Sequence, residues 1–125
     1  MRLLQALCLS FAALFLMPAA PAGAAQLIMF EQAGCEWCEV WDEEISEIYP
    51  KTTEGKRAPL RRVDLHATRP EDLRDVKAVR FTPTFVLVDE GREIGRIQGY
   101  PGEDFFWGLL AELIDRLPKE QAAVK

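Results

Sequence analysis

Two cysteines set three positions apart, in Cys35-Glu36-Trp37-Cys38, stand between a short apolar run and a stretch of helical periodicity. That junction constrains the chain more than any other feature. Leu27-Ile28-Met29-Phe30 fill residues 26–31 and give way to the turn-like Gln32-Ala33-Gly34, which predicts a buried strand. Beyond it Cys38, Trp41, Ile45, Ile48 and Tyr49 recur at helical spacing, with Asp and Glu on the other face until Pro50 stops the helix. Cys35 is thus expected on the first turn of a helix fed by a strand, where it and Cys38 can close a small redox disulfide. Taken alone, the same C-x-x-C is also half of a zinc site.

The rest of the chain alternates in the same way. Residues 60–65 predict a second strand, 70–79 a short helix opened by Pro70 and Glu71, and 84–88 a third strand. Asp89-Glu90-Gly91-Arg92 reads as a hairpin turn into a fourth strand through Ile94 and Ile97. Residues 102–117 close the chain as a helix, with Phe105, Phe106, Leu109, Leu110, Leu113, Ile114 and Leu117 expected on its inner face. Residues 50–59 are polar and turn-rich and are expected to form a surface loop. The order is βαβαββα, an α/β arrangement.

The first 24 residues read as a signal peptide. Arg2 gives a positive start, an apolar stretch runs from Leu3 to Met17, and Pro18, Pro21 and Ala22-Gly23-Ala24 supply a breaker and small residues for cleavage. An uncleaved anchor is the competing reading, since the stretch is just long enough to span a thin bilayer. Cleavage near Ala25 removes Cys8 and leaves Cys35 and Cys38 as the only thiols, in one domain over residues 25–118 with a flexible tail at 119–125. Export places the dithiol in an oxidising, periplasmic space, where it stays reduced only if an electron donor serves it. The net charge of -5 argues against nucleic acid as the main partner.

At this point the residues resemble the thioredoxin superfamily over nearly the whole mature chain. Cys35-Glu36-Trp37-Cys38 after the first strand and Phe81-Thr82-Pro83-Thr84-Phe85 at the third carry that resemblance. It implies the minimal thioredoxin-like fold, a βαβαββα core with a mixed four-stranded sheet. It also implies a cis Pro83 beside the dithiol, and a Thr82 whose backbone pairs with an extended substrate. Runs such as Trp41-Asp42-Glu43-Glu44-Ile45 and Gly99-Tyr100-Pro101-Gly102-Glu103 are similar to the periplasmic thioredoxin-like proteins encoded with bacterial sulfur-oxidation (Sox) systems. This closer resemblance implies a thiol-disulfide reductase that acts on a protein disulfide, with a Sox sulfur carrier as the target and a membrane thiol transporter as the electron donor. Neither cofactor nor metal is implied, and the chain is expected to act as a monomer.

The chemistry expected of the pair follows from its place on the helix. Backbone N–H groups and the macrodipole stabilise a thiolate at the first turn, so Cys35 is the expected attacking sulfur and Cys38, on the core-facing stripe, the resolving one. No Lys, Arg or His occurs between Gln26 and Pro50, whereas Glu31, Glu36, Glu39, Asp42, Glu43, Glu44 and Glu47 do. Carboxylates near Cys35 hold its pKa from falling far, which favours a reducing pair over an oxidising one. The competing reading makes Asp42 to Glu47 the solvated face of an amphipathic helix.

One position departs from the superfamily. Its buried acid, six residues before the first cysteine, is replaced here by Met29, and Glu31 on the same strand face is either its substitute or a solvated strand end. Trp37 is expected either to touch the substrate or to pack partly exposed. His66, the only histidine, is expected on a surface loop, Trp41 and Trp107 in the core, and Tyr100 either beside the substrate groove or in a turn. Other functions can use the same residues: cytochrome c maturation reductase, metal delivery through Cys35 and Cys38, or a redox-sensing binding module.

Overall fold

The computed structural model describes residues 24–119. All but the last residue of the leader expected at 1–24, Cys8 included, and most of the tail expected at 119–125 lie outside the described residues. The apolar run forms β1 (Gln26–Glu31), with its four central side chains buried. The helix after it is α1 (Glu36–Trp41), which continues as a π turn over Asp42–Ser46. There the Ser46 hydroxyl donates to the Asp42 carbonyl at 2.7 Å, a back-bond that competes with regular α geometry. Next come α2 (Thr53–Arg57), β2 (Leu60–Asp64), β3 (Thr84–Asp89), β4 (Arg92–Gln98) and α3 (Glu103–Ile114).

The four strands make one mixed sheet in the order β2-β1-β3-β4. β1 runs parallel to β2 and antiparallel to β3, and β3 and β4 form the hairpin expected around Gly91. Side-chain alternation divides the core in two. Leu27, Met29, Phe85, Leu87 and Ile97 face α1 and α3 and share a cluster with both cysteines. Ile28, Phe30, Val63, Val86 and Val88 face the segment between β2 and β3, from which Leu73, Val76 and Val79 pack. At the centre of the first cluster, Phe85 stands 5.2 Å from Trp41 and 5.0 Å from Phe106, ring centre to ring centre. Both are tilted or edge contacts, the favoured aromatic geometries.

Four expectations require correction. Residues 50–59 are not a loop: a 3-10 turn (Tyr49–Lys51) leads into α2, capped by Thr52, whose hydroxyl accepts from the Gly55 N–H at 3.0 Å and donates to the Tyr49 carbonyl at 2.7 Å. Residues 70–79 hold only a 3-10 turn, Glu71–Leu73. That segment is held by side chains from elsewhere: Arg69 donates to the Val76 carbonyl at 2.6 Å, and Arg96 to the Ala78 and Lys77 carbonyls at 3.0 and 3.2 Å. Backbone carbonyls satisfied in this way need no helix. On α3, Phe105 and Leu109 face outward, at 71% and 40% exposure, because Phe106, Leu110 and Leu113 already fill the inner stripe. Ile48, 40% exposed, likewise leaves the apolar stripe expected from Cys38 to Tyr49, because it lies past the end of the π turn at Ser46. Trp41 is fully buried as expected, while Trp107 is half-buried and stacks on Tyr49 at 6.1 Å.

Candidate active site

The loop after β1 leads into the dithiol, and the loops after β2 and before β3 lie at the same end of the sheet. Gly34 takes φ 74°, a left-handed conformation that suits glycine, and turns the chain from β1 into α1. Cys35 is the N-cap of α1 and accepts the Cys38 N–H on its Sγ at 3.2 Å. It is bonded to Cys38 across an S–S distance of 2.04 Å. Cys35 is 8% exposed and Cys38 4%, so both are buried, the residue at the cap slightly less so. A backbone donor aimed at Sγ stabilises negative charge there. The arrangement can form, break and exchange a disulfide.

The second component is the loop before β3. The Thr82–Pro83 bond is cis. The loop is pinned on both sides of Thr82: the Thr84 hydroxyl donates to the Phe81 carbonyl at 2.7 Å, and the Gly99 N–H donates to the Pro83 carbonyl at 2.7 Å. Pro83 and Thr84 are buried, Thr82 is half-buried, and Phe81 is 64% exposed. Trp37, between the cysteines, is 57% exposed, so it does not belong to the core. Large exposed aromatics on two of the segments that build the site suit contact with a partner.

Electrostatically, the acidic stretch is met by a cation that local sequence did not reveal. Arg62 of β2 donates to Glu31 at 2.7 Å and to Asp42 at 2.5 Å, and another contact of 3.7 Å reaches the Met29 sulfur. Parallel pairing of β1 with β2 puts Arg62 opposite Met29. Glu31 is on the Met29 side of the strand, as its spacing predicts, but its carboxylate is engaged by Arg62. Asp42 holds Arg62 above its already high ordinary pKa most strongly, against the effect of burial, and Glu31 adds to it. Glu36, Glu39, Glu43 and Glu47 are exposed.

Tyr100 belongs to the core, 7% exposed, and packs edge-on against Phe106 at 6.0 Å. Its hydroxyl donates to Glu44. Burial first, then that hydrogen bond and the charges of Glu44, Glu103 and Asp104, push its pKa well above the usual phenol range.

His66 is exposed, as expected, yet its Nε2 lies 2.7 Å from Gln32 Oε1, and Gln32 Nε2 donates to Thr82 Oγ1 at 2.8 Å. In the sequence Gln32 shows only as part of a turn. These three residues come from three loops, and no local motif joins them.

The geometry has relatives. The family described as thioredoxin-like domain matches residues 17–114. The chain is similar to the periplasmic thioredoxin SoxS from Paracoccus pantotrophus, solved in its reduced form, at 50% identity with a TM-score of 0.71, covering 74% of this chain and 97% of that one. It also shares its fold with the Malassezia sympodialis thioredoxin Mala s 13, at 20% identity and TM-score 0.59, over 74% of this chain and 80% of that one. Thioredoxin from Fasciola hepatica matches at 22% identity and TM-score 0.54, over 72% and 81%. No curated protein matches.

Proposed function

We propose a function from the premise that this chain belongs to the thioredoxin-like family. With its C-x-x-C pair it is a thiol-disulfide oxidoreductase. Our reading is that it works in the periplasm, after removal of its leader, as a reductase of protein disulfides. The thiol of a Sox-type sulfur carrier is the preferred target, and a membrane thiol transporter the source of electrons. The observation that supports this reading is the 50% identity to the periplasmic thioredoxin SoxS, over nearly all of that protein.

The reaction divides between the two sulfurs. The Cys35 thiolate attacks one sulfur of the target disulfide, forming a mixed disulfide and releasing the first target thiolate, which takes up a proton. Cys38 then loses its proton and attacks Cys35 Sγ. The Cys35–Cys38 bond closes and the second target thiol leaves. The target gains two electrons and two protons, and a donor dithiol returns the pair to its reduced form. In this reading Thr82 pairs through its backbone with an extended target segment, Pro83 packs beside the dithiol, and the exposed Trp37 adds apolar contact.

Trapping tests the assignment. A Cys38→Ser variant is expected to accumulate the mixed disulfide with a target protein through Cys35, and Cys35→Ser to form none. Equal trapping by both variants would overturn the division of roles. A Cys35–Cys38 potential well above that of the glutathione couple would overturn the reductase direction.

A further inference from the structure

We propose that His66, acting through Gln32, is a positioning residue that orients the Thr82 hydroxyl as a hydrogen-bond donor to an extended protein segment bound beside the dithiol. The inference rests on the reading of Thr82 as a substrate-pairing residue and deepens it.

His66 is held by the turn that follows β2. β1 and β2 pair in parallel up to Glu31 and Asp64, and the Leu65 N–H continues the ladder to the Glu31 carbonyl at 2.8 Å. The chain then turns on Asp64, whose carboxylate accepts the His66 N–H at 2.7 Å and whose carbonyl accepts the Ala67 N–H at 3.2 Å. This Asx-type turn sets His66 beside the residue that follows β1, Gln32. Nε2 then meets Gln32 Oε1 at 2.7 Å.

A glutamine amide has an accepting end and a donating end, in one plane. With Oε1 occupied by the imidazole N–H, the NH2 end is turned the other way, and it donates to Thr82 Oγ1 at 2.8 Å. A threonine hydroxyl that accepts in this way keeps its own proton for another acceptor. Thr82 is half-buried, and the carbonyls on either side of it are already taken by Thr84 and Gly99. The chain His66 to Gln32 to Thr82 therefore has one polarity, ending at the half-buried Thr82 hydroxyl. The acceptor that fits is a backbone carbonyl of an extended polypeptide, whereas a small disulfide without such a backbone gains nothing from the relay.

The test uses the full chain with dithiothreitol as electron source and insulin disulfides as substrate. His66→Ala is expected to raise KM about 3- to 10-fold with kcat held, the effect of losing one hydrogen bond. His66→Gln, which presents an amide N–H at similar reach, restores KM. Thr82→Val raises KM to a similar degree, and combining it with His66→Ala adds no further loss, since both break one chain. An unchanged KM in His66→Ala, additive losses in the double variant, or no rescue by His66→Gln would each overturn the relay. Should the wild-type chain fail to reduce insulin, the reading of Thr82 as a pairing site for any extended protein segment falls and takes the relay with it, while the Sox-type target stands, whereas wild-type turnover with unmoved KM in the variants removes the relay alone.

Discussion

Arg62 lies across the indole of Trp41, its guanidinium carbon 5.6 Å from the ring centre, while its nitrogens hold Glu31 and Asp42. One cation thus joins the end of β1, the end of α1 and the strand β2 behind the dithiol. All three charged side chains are about a third exposed, at 36%, 30% and 41%, so solvent weakens the pairs. Arg62→Ala is expected to lower stability by about 1 kcal/mol, from the sum of weak ion pairs and the cation–π contact. Arg62→Lys recovers only part, because an ammonium cannot span two carboxylates and stack at once. Urea unfolding at low and high salt checks this, and a loss that salt leaves unchanged would assign it to packing.

Acid stability should depend on Glu93. It pairs with Arg96 at 2.5 and 2.9 Å and accepts the Lys77 N–H at 3.1 Å, with the two side chains only 11% and 17% exposed. Burial pushes the Glu93 carboxyl up, but the Arg96 hydrogen bonds, the Lys77 N–H and the positive charges of both residues outweigh it and hold it below its ordinary value. A depressed folded-state pKa gives stability that is fully present above the unfolded value, about 4.3, and is lost as pH falls through the folded one. Glu93→Gln is expected to cost about 1–2 kcal/mol at neutral pH. The gap from wild type should narrow once the pH drops below about 4. A gap that stays constant across the acid range would remove the ionised carboxylate from the account.

Gly55 is predicted to be irreplaceable. A Cβ added there would stand 1.8 Å from the Tyr49 carbonyl oxygen and 2.7 Å from its carbon, both backbone atoms that cannot swing aside. Tyr49 itself is fixed, with its hydroxyl donating to the Ala58 carbonyl at 2.7 Å. Gly55→Ala gains helix propensity of up to about 1 kcal/mol. The clash should exceed that gain, for a net loss of about 3 kcal/mol by thermal or urea unfolding. A more stable variant would mean that the turn from Tyr49 into α2 shifts without cost.

These residues also show where the sequence was legible. β1 and β3 are apolar runs buried on both faces, and α1 carries its own stripe and cap, so period and punctuation predict them. The C-x-x-C and the Thr82–Pro83 pair could be read because each is contiguous. α2 was hidden because Gly55, chosen for close approach to Tyr49, reads locally as a turn residue. Residues 70–79 looked helical because nothing local says that Arg69 and Arg96 will take their carbonyls. Phe105 and Leu109 read as inward-facing because composition alone cannot separate a packed apolar face from an exposed one. Arg62 and Gln32 act on partners 20 to 50 residues away, a relationship that only the parallel pairing of β1 and β2 and the return of the chain before β3 create.

The charge around Cys35 yields the most direct functional prediction. Arg62 engages Glu31 and Asp42, while Glu36 and Glu39 lie in the first turn of α1 and point to solvent. Negative charge there opposes the Cys38 N–H and the helix terminus in stabilising a Cys35 thiolate. Replacing both acids, as Glu36→Gln with Glu39→Gln, should lower the Cys35 thiol pKa. A more stable thiolate favours the reduced form, so the pair becomes more oxidising. One pKa unit corresponds to about 30 mV for this two-electron couple, and exposed charges are screened, so an upward shift of about 10–30 mV is expected at low salt. Ultraviolet absorbance of the thiolate gives the first quantity, and equilibration with a glutathione series gives the second. If both stay unchanged at low ionic strength, these acids belong to the solvated face of the helix, and any reducing character must come from elsewhere in the site.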